Sequence, residues 1–476
     1  MFKMLFKNEN KHDQKNKENE KQNFKEFDLL QKSIDKSTNG FFHSTPLIMY
    51  QENGNSFEVD LRKFFLISAL SEGNVLLRGG TGIGKTSFAK AFLEGLFNQN
   101  YGVIQFDIGL DETKYLDVDF GKMKKGQNLS DAITESKLIK MPAIIFDEYN
   151  RALGAQTSLV QGWLINDELT IEGNKKIRPG YKLKDSNYYQ LKIATINEGN
   201  EYINTQEIDF ASRDRFSIEL NLDNFPMNDS DKNNLILNSS FVNKNNYENK
   251  SLIGTENSNS KSFFDLYFKI KDIQLSAQAQ EFLVYLQRLD NCYKSPIGTK
   301  KSFIEFNSHS TCEGCHALNK DNGICSSIHA ISPRTASNLI RLGKAFAAYR
   351  IYKLENENKE TSNEMIINDL EAVAPFVLSM QKLDLSKEWI KKSLNQTGNS
   401  EYTAVKEAFN IIKQRFNNDK LVSHNPILDE NKNQDPAENE KQKIDQIMKN
   451  PWSSSRENVI KVYEYLRKTG NFFNKT

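Results

Sequence analysis

The chain has 476 residues, with 63 basic against 62 acidic side chains. That length is too great for one core and predicts two or three domains, while the balanced charge supplies no global field to recruit nucleic acid or a membrane surface. No apolar run approaches the ~18 residues a membrane span needs, and four cysteines do not make a disulfide scaffold in a chain this long.

Taken from the start, "MFKMLFKNENKHDQ" turns charged too soon for a secretory signal, so a reducing, cytoplasmic setting is expected. Residues 1–44 are rich in Lys, Asn, Glu and Gln and poor in aliphatic residues, and are expected to be mostly disordered. Residues 45–225 alternate short apolar strands with helical patterns, which predicts an α/β unit around a parallel sheet. "NVLLR" (74–78) reads as a buried strand and runs straight into "GGTGIGKT" (79–86). The spacing from Gly79 to Gly84, Lys85 and Thr86, through Gly80, Thr81, Gly82 and Ile83, is that of a phosphate-binding loop. Glycines let backbone N–H groups turn inward around phosphate oxygens with no Cβ in the way. Lys85 is suited to the terminal phosphates and the Thr86 hydroxyl to Mg²⁺. A helix with Phe88, Phe92 and Leu96 on one stripe follows, its positive end facing the anion.

"PAIIFDEYNRA" begins at Pro142 and ends an apolar run in Asp147 and Glu148. Acids at the C-terminal end of a parallel strand lie where such sheets bind ligands. Asp147 suits an Mg²⁺ role and Glu148 the polarising of an attacking water. "LKIATIN" (191–197) is a third strand, ending in Asn197, which could hydrogen-bond the water or the γ-phosphate or serve only as a turn residue. In "ASRDRFSIEL", Arg213 and Arg215 precede a strand alternating Phe216, Ile218 and Leu220. A planar guanidinium suits a neighbour's γ-phosphate, and either arginine could supply it; the alternative is a salt bridge with Asp214.

Residues 226–261 are Asn/Ser/Lys-rich and read as a linker, and 262–390 as a second, helical region able to build a core. Within it, 292–329 is a Cys-rich insertion containing "HSTCEGCHALNKDNGICSSIHA" (309–330). Cys312 and Cys315 have the two-residue spacing of a zinc knuckle, "NKDNG" supplies a turn that could return Cys325, and Cys292 is the natural fourth ligand. His309, His316 or His329 could replace it. Cys312-x-x-Cys315-His316 also fits haem attachment, which needs an oxidising export route that the start of the chain gives no sign of. In "ISPRTASNLIRLGKAFA", Ser332 suits a helix cap, Pro333 its first position and Arg334 its first turn. A cation there works against the helix dipole, which favours a functional role for it. Residues 391–476 read as a helical extension interrupted by a polar linker and ending in "RENVIKVYEYLRK".

The succession "GGTGIGKT", "IIFDEYNRA", "ATIN", "SRDRF" and "SPRT" resembles the AAA+ ATPases, and within them the MoxR-like, dynein-related branch. "DEYNRA" is similar to that branch's "DEINRA" acid motif, and "SLVQGWLINDELTIEG" to the helix and hairpin that follow it. The resemblance covers 45–223 and about 262–381. It implies an α/β P-loop NTPase of the AAA+ three-layer parallel-sheet type, followed by an α-helical lid domain, in an ATPase assembling as a ring, usually a hexamer. By position, Lys85 and Thr86 then bind phosphate and Mg²⁺, Asp147 binds Mg²⁺, and Glu148 is the base. Asn197 takes the first sensor role, Arg215 that of the arginine finger (with Arg213 as the alternative), and Arg334 the second sensor role.

The branch further implies an ATP-driven chaperone that remodels a partner or assists cofactor or metal insertion, often beside a separate protein with a von Willebrand factor A domain. This chain has no Asp-x-Ser-x-Ser motif, so such a partner would act in trans. A rival reading is a DNA-linked motor resembling the McrB restriction subunit, disfavoured by neutral charge and by the lack of a base-reading module. A nucleotide-binding scaffold without turnover is a third, against which Lys85, Glu148 and Arg215 all stand.

Four protein ligands would leave a zinc ion no open position, making the insertion's metal structural. Elemental analysis of protein purified without added metal should therefore find about one zinc per chain, the ratio of a single four-ligand site. Cys312→Ser with Cys315→Ser should abolish it; zinc far below that ratio and indifferent to the substitutions would refute the site.

Overall fold

A computed structural model describes residues 24–39, 43–106, 133–151, 175–197, 213–239, 258–288, 331–378 and 401–418, with short pieces at 41, 116–118, 124, 162–164, 168–171 and 208. The chain opens with helix α1 (Glu26–Ser37), the hairpin of β1 (Ile48–Glu52) and β2 (Asn55–Val59), and helix α2 (Leu61–Leu70). There follow β3 (Val75–Arg78), α3 (Lys85–Phe97), β4 (Gly102–Gln105), β5 (Ala143–Asp147), β6 (Leu191–Thr195) and β7 (Ile218–Asn221). These five strands form one sheet in the order β7-β3-β6-β5-β4, every pairing parallel. Helices α4 (Asp229–Ser239), α5 (Ser258–Lys271), α6 (Ala277–Arg288), α7 (Pro333–Asn356), α8 (Ile367–Val377) and α9 (Glu401–Asn418) complete it.

The strands are short and apolar because both faces are covered, as parallel sheets require. Val75, Leu77, Ile145 and Ile193 pack on one side with Phe65, Phe92 and Leu96. Leu76, Ile144, Phe146 and Ala194 pack on the other with Phe106, Trp163 and Phe216. The predicted stripe of α3 is buried, and Phe65 of α2 meets Phe88 and Phe92 edge-on, with ring centroids 5.1 and 5.4 Å apart. From β3 the sheet extends to β6, β5 and β4 on one side and to β7 on the other. The end of β3 is thus a topological switch point, where the crevice of an open α/β sheet takes its ligand. Sheet, helices and loop together are those of an α/β P-loop NTPase.

Three expectations require correction. Residues 1–44 are not disordered throughout: α1 buries Phe27, Leu30 and Ile34, an i, i+3, i+7 stripe extended by Phe24 just before the helix. Gly95 of α3 permits the contact, since a Cβ there would lie 2.5 Å from Ser37 Oγ and 3.0 Å from Ile34 Cα. Ser33 Oγ donates to the Gly95 carbonyl at 2.8 Å. Nor is 226–261 wholly a linker. Asn228 Oδ1 accepts the Asp231 N–H at 2.8 Å at the start of α4, and α5 begins at Ser258 and buries Phe263, Leu266 and Tyr267. Finally, 45–225 and 262–390 do not build separate cores. One buried cluster runs from Val75 and Leu77 through Phe64 to Phe376, two rings with centroids 4.2 Å apart, and on to Phe282 and Phe409.

The helical layer contains a fully buried ion pair. Arg350 of α7 donates through Nε and Nη2 to both carboxylate oxygens of Asp369 on α8, at 2.7 and 3.0 Å, with both side chains 0% exposed. Its remaining donors satisfy the loop between the helices, reaching the carbonyls of Ser362 at 2.9 Å and Glu364 at 2.7 Å and the Thr361 hydroxyl. Asp369 also accepts the Ile366 N–H at 2.9 Å. Removing one partner strands a buried charge, so Asp369→Ala should cost about 3–5 kcal/mol in urea unfolding. The pair Arg350→Met with Asp369→Leu should cost less than that single change; a larger cost would show that the pair itself is a net source of stability.

Candidate nucleotide-binding site

The loop after β3 owes its shape to its glycines. Gly79 has φ +139° and a Cβ on it would lie 2.6 Å from Ile83 Cδ1, while Gly84, at φ +83°, turns the chain left-handed into α3. Thr81, Gly82 and Ile83 complete the turn between them. Lys85, 5% exposed, folds back over this loop and donates to the carbonyls of Gly79 and Gly80 at 2.8 and 2.7 Å. The Gly80 N–H donates to Asp223 Oδ1 at 3.2 Å.

Thr86 and Asp147 meet. The Thr86 hydroxyl donates to Asp147 Oδ1 at 2.6 Å, joining the first turn of α3 to the end of β5. Thr195, ending the adjacent strand β6, donates to the same oxygen at 2.6 Å. It also accepts the Glu148 N–H at 3.1 Å. Glu148 sits at φ +55°, a left-handed conformation that a non-glycine side chain adopts at a cost of order 1–3 kcal/mol. Its carboxylate is 3.2 Å from Arg151 Nη1. Asn150 Nδ2 donates to the Asn197 carbonyl at 2.8 Å, tying the ends of β5 and β6 together beside these acids. Lys85, Thr86, Asp147, Glu148 and the backbone of Asn197 therefore lie together at the C-terminal ends of β3, β5 and β6.

The predicted arginines do not join them. Arg213 is turned inward, where it and Arg78 both pair with Glu219 of β7. Arg215 instead lines a cavity of about 160 Å³ with Asn74, Gln190, Lys192, Ser217 and Arg334. Asn74, Lys192 and Ser217 mark where β3, β6 and β7 begin, so this cavity lies at the opposite edge of the sheet from the loop. β3 alone spans four residues, or about 13 Å at ~3.3 Å each. Arg334 stands in the first turn of α7 as expected, with Ser332 Oγ accepting the Thr335 N–H at 3.1 Å and Pro333 opening the helix. Its guanidinium is 3.9 Å from the Asp214 carboxylate. Cys292, Cys312, Cys315 and Cys325, with His309, His316 and His329, lie outside the described residues.

Several contributors were not singled out in the sequence. Thr195 has one signal in the sequence, a hydroxyl closing a strand that is apolar apart from Lys192. Arg151 lies three residues past Glu148 in "DEYNRA", a spacing that brings the two together within one short turn. Asp223 carries no local signal, because its place follows from where β7 ends.

No family model matches the chain, and no curated protein does. Among solved structures, it is similar to the crystal structure of a "putative ATPase" from Cytophaga hutchinsonii, with a TM-score of 0.51 and 16% identity over 82% of this chain and 96% of that one. At that identity the likeness is one of fold, and it extends over nearly all of the other chain.

Proposed function

We propose that this chain is an ATP-hydrolysing AAA+ protein of the MoxR-like type, acting as a ring of copies that remodels a partner protein. The observation that carries the ATPase reading is the meeting of Thr86 Oγ1 and Asp147 Oδ1 at 2.6 Å beside the Lys85 loop. A hydroxyl and a carboxylate are hard oxygen donors suited to Mg²⁺, and the glycine loop is a cradle that side chains at Gly79 would fill. The residues thus fit ATP with Mg²⁺, Thr86 and Asp147 being those that would hold the ion, which neutralises charge on the phosphates. Lys85 must exchange its two carbonyl partners for phosphate oxygens. Glu148 follows Asp147 and would take the proton of the attacking water, with Asn197 orienting that water.

Arg215 and Arg334 lie at the far edge of the sheet from their own Lys85. In a ring, that edge is the one a neighbour's nucleotide would meet. Arg215 is the proposed finger, since Arg213 is held by Glu219. Arg334 is the proposed second sensor, acting on the same neighbouring phosphates. Helices α5–α8 would move as the lid, and the Cys-rich insertion would carry a structural zinc ion.

The remodelling role, a hexameric ring and a von Willebrand factor A partner in trans rest on the motif resemblance. The near-neutral charge speaks against a nucleic-acid motor. Among the described residues no helix is long and apolar enough to cross a membrane.

Glu148→Gln should still bind ATP but lose turnover by ~10²–10⁴-fold, the usual cost of a missing general base. Wild-type turnover in that variant would remove Glu148 from the reaction. Arg215→Ala should bind nucleotide and fail to hydrolyse it, and mixing it with Lys85→Ala protein should restore part of the activity at mixed interfaces. Co-assembly without any recovery would contradict a finger acting between subunits.

A further inference from the structure

The cavity at the starting edge of the sheet contains more cationic groups than the two arginines already assigned. Among the described residues, Lys192, Arg215, Arg334 and Arg341 line it, with the Glu72 carboxylate beside them. Lys192 is 2% exposed, on the second residue of β6. Arg334, Asn338 and Arg341 share one face of α7 at i, i+4, i+7 spacing, which directs all three into the cavity. Arg341 is held in place: its Nη2 donates to Asn338 Oδ1 at 2.6 Å and its Nη1 is 3.8 Å from Glu72. Lys271 in turn engages Glu72 at 3.5 Å, so that carboxylate is shared between two cations.

Two donors remain unmatched. Arg215 Nη1 and Arg341 Nε are both shut off from solvent and have no hydrogen-bond partner among the described residues. A buried donor without a partner is costly, and both donors belong to side chains that line the cavity. The side chain of Arg334 is 50% exposed, and its guanidinium lies 3.9 Å from the Asp214 carboxylate. At about 160 Å³ the cavity far exceeds the ~10–15 Å³ that a single water occupies on the same measure.

We infer that this cavity is a preformed site for phosphate groups, built within one chain, in which Lys192 and Arg341 are binding residues alongside Arg215 and Arg334. The phosphates could come from free polyphosphate in solution or from the nucleotide on a second copy of the chain. That second source rests on the ring proposed above; the site itself does not.

The probe is inorganic tripolyphosphate, titrated calorimetrically into Lys85→Ala protein so that the loop is disabled. One equivalent should bind per chain, and Lys192→Met or Arg341→Gln should weaken it by about tenfold or more, as loss of one charge-assisted contact implies. Arg341→Gln, at a side chain 41% exposed, keeps the test open should Lys192→Met fail to fold. No binding to the Lys85→Ala protein, or binding indifferent to Arg341→Gln, would overturn the site. In a second arm, tripolyphosphate is added to ATP-loaded Glu148→Gln protein followed by sedimentation. Dissociation of assemblies identifies the neighbour's nucleotide as the source. Assemblies that persist while the site still binds would identify free polyphosphate and count against the ring interface alone.

Discussion

Thr86 and Asp147 are 61 residues apart and meet at 2.6 Å. That hydrogen bond requires helix α3 to start, strand β5 to end and strand β6 to lie between β3 and β5 in one register. Thr195 completes it from β6, and the bond it accepts from the Glu148 N–H sets the strained turn in which the acid stands. The sheet's apolar strands are therefore the means by which three polar side chains from distant segments share one point. Removing water from both faces of β3, β5 and β6 aligns them, and the polar atoms emerge only at their ends.

The same sheet separates the chemistry. Lys85, Asp147 and Glu148 lie where the strands end, whereas Arg215, Arg334, Arg341 and Lys192 lie where they begin. A single chain so arranged has the proposed base and phosphate cradle on one edge and the proposed charge-stabilising cations on the other. The buried Arg78–Glu219–Arg213 cluster strengthens the division, because it holds Arg213 inside the fold and leaves Arg215 for the cavity. On the proposed reading, hydrolysis would then need two chains, one giving the edge where its strands end and the other the edge where its strands begin.

Much of this was legible in the sequence wherever backbone geometry dictates residue type. A loop with left-handed positions favours glycine, a strand buried on both faces favours a largely apolar run, and a helix cap favours a residue such as Ser332. Side-chain relationships across strands were not legible. Thr195 matters because of its register beside Asp147, and two arginines flanking one aspartate look alike until Glu219 claims the first. Helix α1 was hidden for another reason: averaging over a polar segment conceals Phe24, Phe27, Leu30 and Ile34, whose helical spacing is what Gly95 admits. The buried Arg350–Asp369 pair was equally invisible, since each residue reads as an ordinary surface charge on its own helix.

The claim that one catalytic centre is built from two chains is tested most directly by turnover per chain as a function of protein concentration, with sedimentation run in parallel. The account predicts that turnover per chain rises with concentration and levels off where assembly is complete. Constant turnover down to concentrations at which only single chains sediment would contradict it.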